Sequence, residues 1–384
     1  MKKSSNLRSG PDVLILSHEY FPVLSGGSTY LNRLAAALTS IGTEVELVVP
    51  TINSKANSFK NTDGNFKVYR VQTFRRRIRD ATLFTHFLFT LCSIPALGFI
   101  VARRKPKAIL AFFALPSGIA TFISHAVFRI PFYIFIDAAD TPGFDSRSAS
   151  AARFLKPIYK FLVEAANGVV IVEGIENEVL HLTKPKKYLI IKPGAIDVKC
   201  KATPGNRNVT KFLTIGRLVP RKGFLEILQA FALAREVEGD IFLTIVGYGD
   251  LEKELKRMVF DFNLQDSVDL KGRVETNDLS TLYLDSDCYI FFGNREGSSV
   301  AMMDAMSYGL PILASNFSEN QEYVLEGMNG YLIDYPSVSS LALGMVQIIR
   351  KKANLSTFGA VSSEIVKPLS WTIIARQYAE FFQK

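Results

Sequence analysis

Two carboxylates, Glu296 and Asp304, stand eight residues apart around a Gly-Ser-Ser turn in the stretch 295–311, REGSSVAMMDAMSYGLP. Eight residues are a little over two turns of helix, so both acids can share one face of a helix that begins directly after the glycine. The first free N–H groups of that helix would be those of Ser298, Ser299 and Val300. Because helix N-termini bind anions, the stretch predicts an anion site with an acid at its rim. A capped surface helix with two solvated acids is the alternative.

Two cations follow the first apolar segment of the second half of the chain, in the stretch 215–223, IGRLVPRKG. Arg217 and Lys222 lie there beside glycines, which let a backbone approach a ligand closely, and both side chains bind phosphates through charge-assisted hydrogen bonds. Glycine turns recur at two further strand ends, with Gly247 in VGYG and Val274 at the end of KGRV. This half therefore predicts a diphosphate site; a solvated, charge-rich loop is the alternative.

A pair of glycines, Gly26 and Gly27, follows the first predicted strand and precedes the first predicted helix. Glycine at such a turn lets the backbone approach a phosphate, which then faces the helix N-terminus. Tight strand-to-helix turns also use glycine for geometry alone, so both interpretations stay open.

Short apolar segments alternate with helical patterns in both halves, which indicates parallel sheets wrapped by helices. The first half predicts strands at 12–17, 44–49, 108–112, 131–136 and 168–172. The second half predicts strands at 211–216, 241–247, 268–270, 289–292 and 311–314. We expect an α/β chain of two Rossmann-like, doubly wound domains, 1–196 and 197–366, whose binding loops face each other across a cleft.

The composition is that of a globular protein, with 48% hydrophobic and 21% charged residues among 384. Residues 1–196 carry 25 Lys and Arg against 13 Asp and Glu, a net charge of +12, whereas residues 197–384 carry 20 against 23, a net charge of −3. A basic half can face nucleic acid, an anionic membrane or an anionic substrate. Three distant cysteines predict a reducing compartment, four isolated histidines lack metal-ligand spacing, and no signal peptide is expected.

The segment 83–101 is uncharged and lies between two basic clusters, at 75–79 and 103–107. Its length would allow it to cross a membrane. However, the predicted strands on either side of it must lie on one side of a membrane to share a sheet, and basic residues at both ends give no orientation. We therefore expect a buried or interfacial helix.

Three motifs in one order, G-R-L-x(3)-K-G, V-G-x-G and E-G-x(6)-D-A-M-x(2)-G-x-P, resemble those of glycosyltransferase family 4. The P-x(3)-G-G sequence that ends at Gly27, the G-x(2)-D sequence at 194–197 and Ser370-Trp371 also resemble that family, so the likeness spans almost the whole chain. The resemblance implies the two-domain type B glycosyltransferase fold, with a terminal helix, 367–384, that crosses back to the first domain. It also implies retaining transfer of a sugar from a nucleotide donor.

The resemblance assigns roles to the acidic stretch. Glu296 would hold hydroxyls of the transferred sugar, and Asp304 would bind the ribose of the nucleotide. The turn amides of Ser298, Ser299 and Val300 would meet the sugar or the diphosphate.

The same resemblance assigns the phosphate and base contacts. Arg217 and Lys222 would neutralise the departing diphosphate, which Gly27 would approach from the first domain. Val274 lies where the base is held by backbone contacts. Gly26 and Gly247 complete the expected donor-binding set.

Three positions depart from the family pattern. Asp304 stands where glutamate is usual, and Gly293 stands where serine is frequent. The loop 135–140 lacks the histidine that many members place near the reacting sugar. Asp137 or Asp140 could take its place; we favour Asp137, with a purely structural role as the alternative.

A D-x-D sequence, Asp285-Ser-Asp287, resembles the motif with which transferases of another fold hold a divalent metal on a sugar nucleotide. It falls between a helix end and a predicted buried strand, where helix capping explains it better. Because a cation pair already serves the phosphates, we expect no metal and no other cofactor.

Together with the cation pair, the resemblance implies a metal-independent, retaining glycosyltransferase that moves a hexose-type sugar from a nucleotide-sugar donor to a saccharide or lipid-linked acceptor. We expect it to be cytoplasmic and to lie at the anionic inner face of the cell membrane as a peripheral protein. We expect it to act in the synthesis of bacterial surface polysaccharide, lipopolysaccharide or glycolipid. No binding of nucleic acid is expected. One alternative is a nucleotide-sugar epimerase on the same fold. Another is a non-catalytic subunit that binds a nucleotide sugar or a glycan.

Overall fold

A computed structural model describes residues 10–21, 25–52, 66–75, 83–142, 149–198, 201–294 and 299–383. The chain divides into two compact units, one of Met1–Lys192 with Trp371–Lys384 and one of Pro193–Ser370. Each unit contains a parallel sheet with helices packed on it. The predicted α/β class with two doubly wound sheets is therefore confirmed.

The first unit is built on seven parallel strands. They are β1 Val13–Ser17, β2 Val45–Ile52, β3 Lys67–Arg75, β4 Ala108–Phe112, β5 Phe132–Ile136, β6 Gly168–Val172 and β7 Tyr188–Ile191. The connecting helices are α1 Gly26–Ser40, α2 Leu83–Arg104, α3 Ser117–Phe128, α4 Ala149–Ala165 and α5 Glu176–Leu182. The strand order is β3-β2-β1-β4-β5-β6-β7. The order reverses between β1 and β4, which opens a crevice at their carboxyl ends.

The second unit repeats this plan with six parallel strands. They are β8 Thr210–Ile215, β9 Ile241–Val246, β10 Val268–Gly272, β11 Cys288–Phe291, β12 Ile312–Ser315 and β13 Gly330–Ile333, in the order β10-β9-β8-β11-β12-β13. The helices are α6 Phe224–Val237, α7 Glu252–Asp261, α8 Thr276–Leu284, α9 Val300–Ser307, α10 Ser318–Gln321, α11 Val338–Arg350 and α12 Leu355–Val366. Here the order reverses between β8 and β11.

The central strands β1, β4, β5 and β6 are fully buried runs of mostly apolar residues, as parallel strands covered on both faces should be. The sequence predicted these within one residue at either end. It missed β3, β7 and β13, which are all edge strands. An edge strand carries polar residues, as in β3, or is only four residues long, as in β7 and β13, so its apolar signal is weak.

The last helix, α13 Trp371–Gln383, packs on α1 in the first unit. The hydroxyls of Tyr378 and Tyr30 are 3.1 Å apart. The hydroxyl of Tyr133 on β5 donates to the carbonyl oxygen of Phe382 at 3.1 Å. Burial raises the pKa of both tyrosines of the first pair, so these hydroxyls stay neutral.

Helix α2 packs one of its sides on the first sheet and exposes its other side. Phe89, Leu97, Ile100 and Val101 pack into the core of the first unit, and Ser93 is buried between them. Within the described residues it is the one helix long and apolar enough to cross a membrane. It nevertheless connects β3 to β4, which belong to one sheet, so it crosses over the sheet face as in any βαβ unit.

Candidate active site

The glycine turn after β9 packs directly on the loop after β8. The amide of Gly216 donates to Val246 at 2.9 Å, and the amide of Leu218 donates to Tyr248 at 3.0 Å. Gly247 has a φ of +151°, and a Cβ atom there would lie 1.8 Å from the carbonyl oxygen of Gly216. Only glycine allows this backbone approach, which fixes the loop that carries the predicted cations.

The fixed loop presents two cations at the carboxyl end of β8. Arg217 is exposed, and its guanidinium has no hydrogen-bond or ion-pair partner within the part of the chain that the structure describes. Lys222 is half-buried, and its Cδ atom lies 3.1 Å from where a Cβ on Gly216 would be. Gly223, with a φ of +64°, ends the short helical turn and leads into α6. This arrangement can bind an anion such as a diphosphate.

The loop after β11 is joined to this cation loop. The amide of Asn294 donates to the carbonyl oxygen of Arg221 at 2.7 Å. A Cβ atom on Gly293 would lie 2.8 Å from the same oxygen, so a serine at this position would be strained. Instead the hydroxyl of Ser315 both accepts from the amide of Gly293 and donates to its carbonyl oxygen, each at 2.9 Å. Because the strand order reverses between β8 and β11, these two loops flank the crevice of the second sheet.

Helix α9 begins at Val300, and Ser299 is its N-cap. The predicted start, directly after Gly297, is therefore wrong by two residues. The second serine of the pair takes the extended cap conformation that serine favours, with φ −84° and ψ 121°. The amide of Met303 donates to Ser299, so the amides without an acceptor inside the helix are those of Val300, which the prediction included, and of Ala301 and Met302, which it did not.

Asp304 lies one turn into α9, on the same side as Val300, and is 3% exposed. Glu296 and Ser298 lie outside the described residues, so their predicted roles stay predictions.

Two further residues that are predicted to bind the nucleotide-sugar donor, Gly247 and Val274, follow neighbouring strands. The amide of Gly247 donates to the carbonyl oxygen of Gly272 at the end of β10, at 2.8 Å. Val274 is half-buried two residues later and packs on the core of the second unit. The structure thus brings the described second-unit candidates to one edge of one sheet: Arg217, Lys222, Gly247, Val274, Ser299, Val300 and Asp304.

The predicted helix capping is confirmed for the first residue of the D-x-D sequence: Asp285 is the C-cap of α8, and its amide donates to the carbonyl oxygen of Thr281 at 2.9 Å. The carboxylates of the two aspartates have a further role. Asp287 is fully buried and accepts hydrogen bonds from Arg207 at 3.0 Å and from the amides of Gly205 and Lys211 at 2.8 and 2.9 Å. Asp285 pairs with the ammonium group of Lys211 at 2.8 Å. Both carboxylates are thus neutralised by basic groups that anchor the segment before β8 to the second sheet.

The glycine pair of the first unit opens α1. A Cβ atom on Gly27 would lie 2.8 Å from the ring of Phe113 and 3.2 Å from a carboxylate oxygen of Glu19, whereas Gly26 faces open space. The N-cap, Ser25, donates its hydroxyl to that carboxylate at 2.7 Å. Close packing therefore explains Gly27, and the phosphate role of both glycines stays a prediction.

The two candidate acids after β5 have different surroundings. The carboxyl group of Asp140 accepts hydrogen bonds from the amides of Ala114 and Leu115, the second at 3.2 Å. Burial, and to a lesser degree the charge of Asp137, raises the pKa of Asp140 to about 8. Asp140 therefore holds the loop after β4. Asp137 is half-buried directly after β5, and its carbonyl oxygen accepts from Thr141 at 3.1 Å.

Sequence reasoning missed Glu19 and Ser315. Glu19 is the second residue after β1, at the strand end where parallel sheets carry their sites, and this position was the available signal. Ser315 ends β12 and contacts Gly293 from 22 residues away, which no local pattern reveals.

Comparison with known proteins finds similarity to glycosyltransferases over part of the chain. Residues 199–360 match the family model described as glycosyl transferases group 1. The amylovoran biosynthesis glycosyltransferase AmsK of Erwinia amylovora is 27% identical over 181 residues, 45% of this chain and 44% of that protein. The UDP-Gal:alpha-D-GlcNAc-diphosphoundecaprenol alpha-1,3-galactosyltransferase of Escherichia coli is 30% identical over 162 residues, 41% of each chain. The chain thus spans about half the length of the curated relatives it matches.

Among solved structures, sucrose-phosphate synthase from Thermosynechococcus elongatus superimposes with a TM-score of 0.79. The match covers 97% of this chain and 98% of that one at 18% sequence identity, so it concerns the fold alone. The chain has the two-domain type B glycosyltransferase fold, and its residues 199–360 are similar to the glycosyl transferases group 1 family.

Proposed function

We propose that this chain is a retaining glycosyltransferase that moves a hexose-type sugar from a nucleotide-sugar donor to a saccharide or lipid-linked acceptor. The observation that carries the proposal is the packing of Gly247 on Gly216, because it fixes Arg217 and Lys222 at the carboxyl edge of a parallel sheet. Ligands of open α/β sheets bind at this edge, where the strand order reverses. The relative from Escherichia coli is named for a UDP-sugar donor, which supports this class of substrate.

In this proposal the second unit binds the donor through complementary charges. Arg217 and Lys222 stabilise the charge that develops on the leaving phosphate oxygen, and each charge-assisted hydrogen bond contributes about 1.5–3 kcal/mol. The amides of Val300, Ala301 and Met302, which have no acceptor inside α9, add N–H groups that can bind the same anion. Asp304 binds the ribose, Glu296 holds hydroxyls of the sugar, and the backbone at Val274 meets the base.

In the transfer step the acceptor oxygen bonds to the anomeric carbon on the face that the diphosphate leaves. The bond from that carbon to the phosphate oxygen breaks, and the hydroxyl proton passes to the departing phosphate oxygen. This geometry retains the anomeric configuration and requires no covalent enzyme intermediate. Asp137, at the carboxyl edge of the first sheet, is the proposed acidic group on the acceptor side.

We propose that the reaction needs no metal ion. Arg217 and Lys222 neutralise the charge of the diphosphate, which a bound metal ion would otherwise do. The carboxylates of Asp285 and Asp287 bind Arg207 and Lys211 and are therefore already neutralised. Transfer should survive excess EDTA; complete loss with EDTA and recovery with manganese would contradict this part of the proposal.

The proposed setting is the cytoplasmic face of an anionic bacterial membrane, in surface polysaccharide or glycolipid synthesis. The net charge of +12 on residues 1–196 supports an anionic surface as partner. The names of the two relatives, one for amylovoran biosynthesis and one for a diphosphoundecaprenol acceptor, support this pathway class.

Donor screening tests the proposal directly. Thermal unfolding is measured with a panel of nucleotide sugars, because a ligand at 100 times its Kd adds about 2.7 kcal/mol to the free energy of unfolding. The donor found is then incubated with saccharides linked to undecaprenyl diphosphate, and the anomeric configuration of the product is read by NMR. Isomerised donor without acceptor would indicate the epimerase instead. Donor binding without turnover on any acceptor would indicate a binding subunit, and an inverted product would contradict retention.

A further inference from the structure

Three helices on one side of the first sheet expose large apolar side chains to solvent. Helices α2, α3 and α4 all contribute to one core cluster with β1, β4, β5 and β6, which places them on the same side. Their exposed large apolar residues are Phe84, Phe87, Leu91, Phe99, Val127, Phe128, Ile158 and Phe161. We refer to these eight residues as the three-helix face.

The stripe on α2 is regular over four turns. Phe84, Phe87, Leu91 and Phe99 recur at intervals that keep them on one side of a helix, and each is 55–67% exposed. Pro95 and Ala102 are exposed in the same register, so no polar residue interrupts the stripe. A surface helix of a soluble protein would instead carry charged or polar side chains on its outer side.

The stripe continues from one helix to the next. The ring of Phe128 lies 3.9 Å from where a Cβ on Gly98 would be, which joins α3 to the carboxyl end of the α2 stripe. The ring centroids of Phe122 and Phe161 lie 5.0 Å apart in an edge-to-face arrangement, which joins α3 to α4. The exposed apolar residues therefore form one surface rather than isolated positions. Apolar surfaces of this extent mark protein or membrane interaction sites.

The charges around this face are almost all positive. Helices α2 and α3 contain no acidic residue, and α4 contains only Glu164, which pairs with Lys160 at 3.8 Å. Arg103, Lys105 and Arg129 are exposed where α2 and α3 end. The guanidinium of Arg103 lies 4.4 Å above the ring of Phe99, directly at the edge of the stripe. An apolar face with a basic rim matches the acyl chains and the phosphates of an anionic bilayer, and not an ordinary protein surface.

We propose that the three-helix face lies on an anionic lipid bilayer, with α2 in the plane of the membrane. The apolar side chains enter the boundary between headgroups and acyl chains, and Arg103, Lys105 and Arg129 contact lipid phosphates. Since β3 and β4 lie in one sheet, α2 reaches the lipid without crossing it. This inference deepens the membrane setting proposed above by naming the surface, and its test requires no enzymatic activity.

The test is flotation with vesicles of phosphatidylcholine, with or without about one third phosphatidylglycerol. The face variant is Phe84→Ser, Phe87→Ser and Leu91→Ser together. The matched control is Leu233→Ser, Val237→Ser and Leu343→Ser, which removes three comparably exposed apolar side chains from α6 and α11 of the second unit. In about 1 M salt, which screens charges beyond about 3 Å, the wild type and the control should still bind anionic vesicles, and the face variant should bind at least about tenfold less.

A charge variant separates the two components of binding. Arg103→Gln, Lys105→Gln and Arg129→Gln together should remove the preference for phosphatidylglycerol at low salt and leave the salt-resistant part. As a direct reporter, Leu91→Trp should shift its emission to the blue on vesicles and be quenched by brominated lipids, whereas Leu343→Trp should do neither. Circular dichroism and the donor-induced thermal shift should be the same in all variants, so loss of folding or of the proposed donor site is detected independently.

Equal flotation of the face variant and its matched control would overturn the proposal. A second outcome would also overturn it: light scattering shows that the wild type forms a dimer, the face variant is a monomer, and the wild type does not bind vesicles. Absence of transferase activity alone would count against the proposed function and not against this surface.

Discussion

Gly247 lies against Gly216 so closely that a Cβ atom on Gly247 would be 1.8 Å from the carbonyl oxygen of Gly216. The contact joins two motifs that are 31 residues apart in the sequence. It also determines where the loop that carries Arg217 can lie, because this oxygen belongs to the residue directly before the arginine.

Gly247→Ala should therefore destabilise the second unit and weaken donor binding together. The alanine must displace the cation loop and adopt a φ of +151°, so we expect a loss of about 1–3 kcal/mol in the free energy of unfolding. Gly239→Ala is the matched control, because a Cβ atom there meets nothing within 4 Å. Urea unfolding measures both. A Gly247→Ala protein as stable as the Gly239→Ala protein would show that the loops can separate.

Arg217→Gln should reduce turnover without affecting folding. Its guanidinium is exposed and unpaired within the described chain, so its removal leaves no buried partner, whereas a lost charge at the leaving phosphate costs about 10²–10³ in kcat. Arg257→Gln, at another exposed arginine, should leave kcat unchanged. Turnover and melting temperature are measured for both. Equal turnover would remove Arg217 from the mechanism.

The two acids of the opening stretch should have separable effects. Glu296→Ala should reduce turnover far more than it weakens binding of the bare nucleoside diphosphate, because Glu296 is assigned to the sugar. Asp304→Asn should instead weaken nucleoside diphosphate binding by about tenfold, which corresponds to the loss of about 1.4 kcal/mol. Calorimetric titration and turnover assays distinguish them. The reverse pattern would mean that the roles are exchanged.

Asp287→Ala should destabilise the second unit strongly, and Asp285→Ala should not. Asp287 is fully buried and pairs with Arg207, and removal of one partner of a buried pair costs about 3–5 kcal/mol. The side chain of Asp285 is 56% exposed, and its ion pair is worth about 0–1 kcal/mol. Urea unfolding compares the two. Similar small losses in both variants would show that Arg207 finds another partner.

The pKa of Asp140 predicts a pH dependence of stability. The unfolded chain ionises this carboxyl near 3.8, whereas the folded chain ionises it near about 8, so the folded state holds an additional proton between these values. The free energy of unfolding should therefore fall as the pH rises through this window. Asp140→Asn cannot ionise, so the variant should gain stability relative to the wild type between about pH 5 and about pH 8. A constant difference across this range would show that Asp140 ionises normally.

The amino-acid sequence by itself determined the class of the fold and most of the candidate donor site. Central parallel strands are buried on both faces and appear as continuous apolar runs, so they can be located without knowledge of their neighbours. Arg217, Lys222 and Gly247 stand in motifs at strand ends, and their position after a strand is a local property. Residues at the ends of neighbouring parallel strands necessarily meet at one edge of the sheet.

The tertiary structure decided everything that depends on a distant partner. Asp287 became an anchor because Arg207, 80 residues away, reaches it. A serine at position 293 would be strained because the backbone of Arg221 lies against Gly293. The start of α9 depends on which of two adjacent serines is the N-cap residue. The outer side of α2 is visible only once the sheet defines the inner side, because the helix carries no charged residue from Leu83 to Val101 that would mark a solvent side. Periodicity cannot distinguish the two sides of such a helix, and packing against the sheet does.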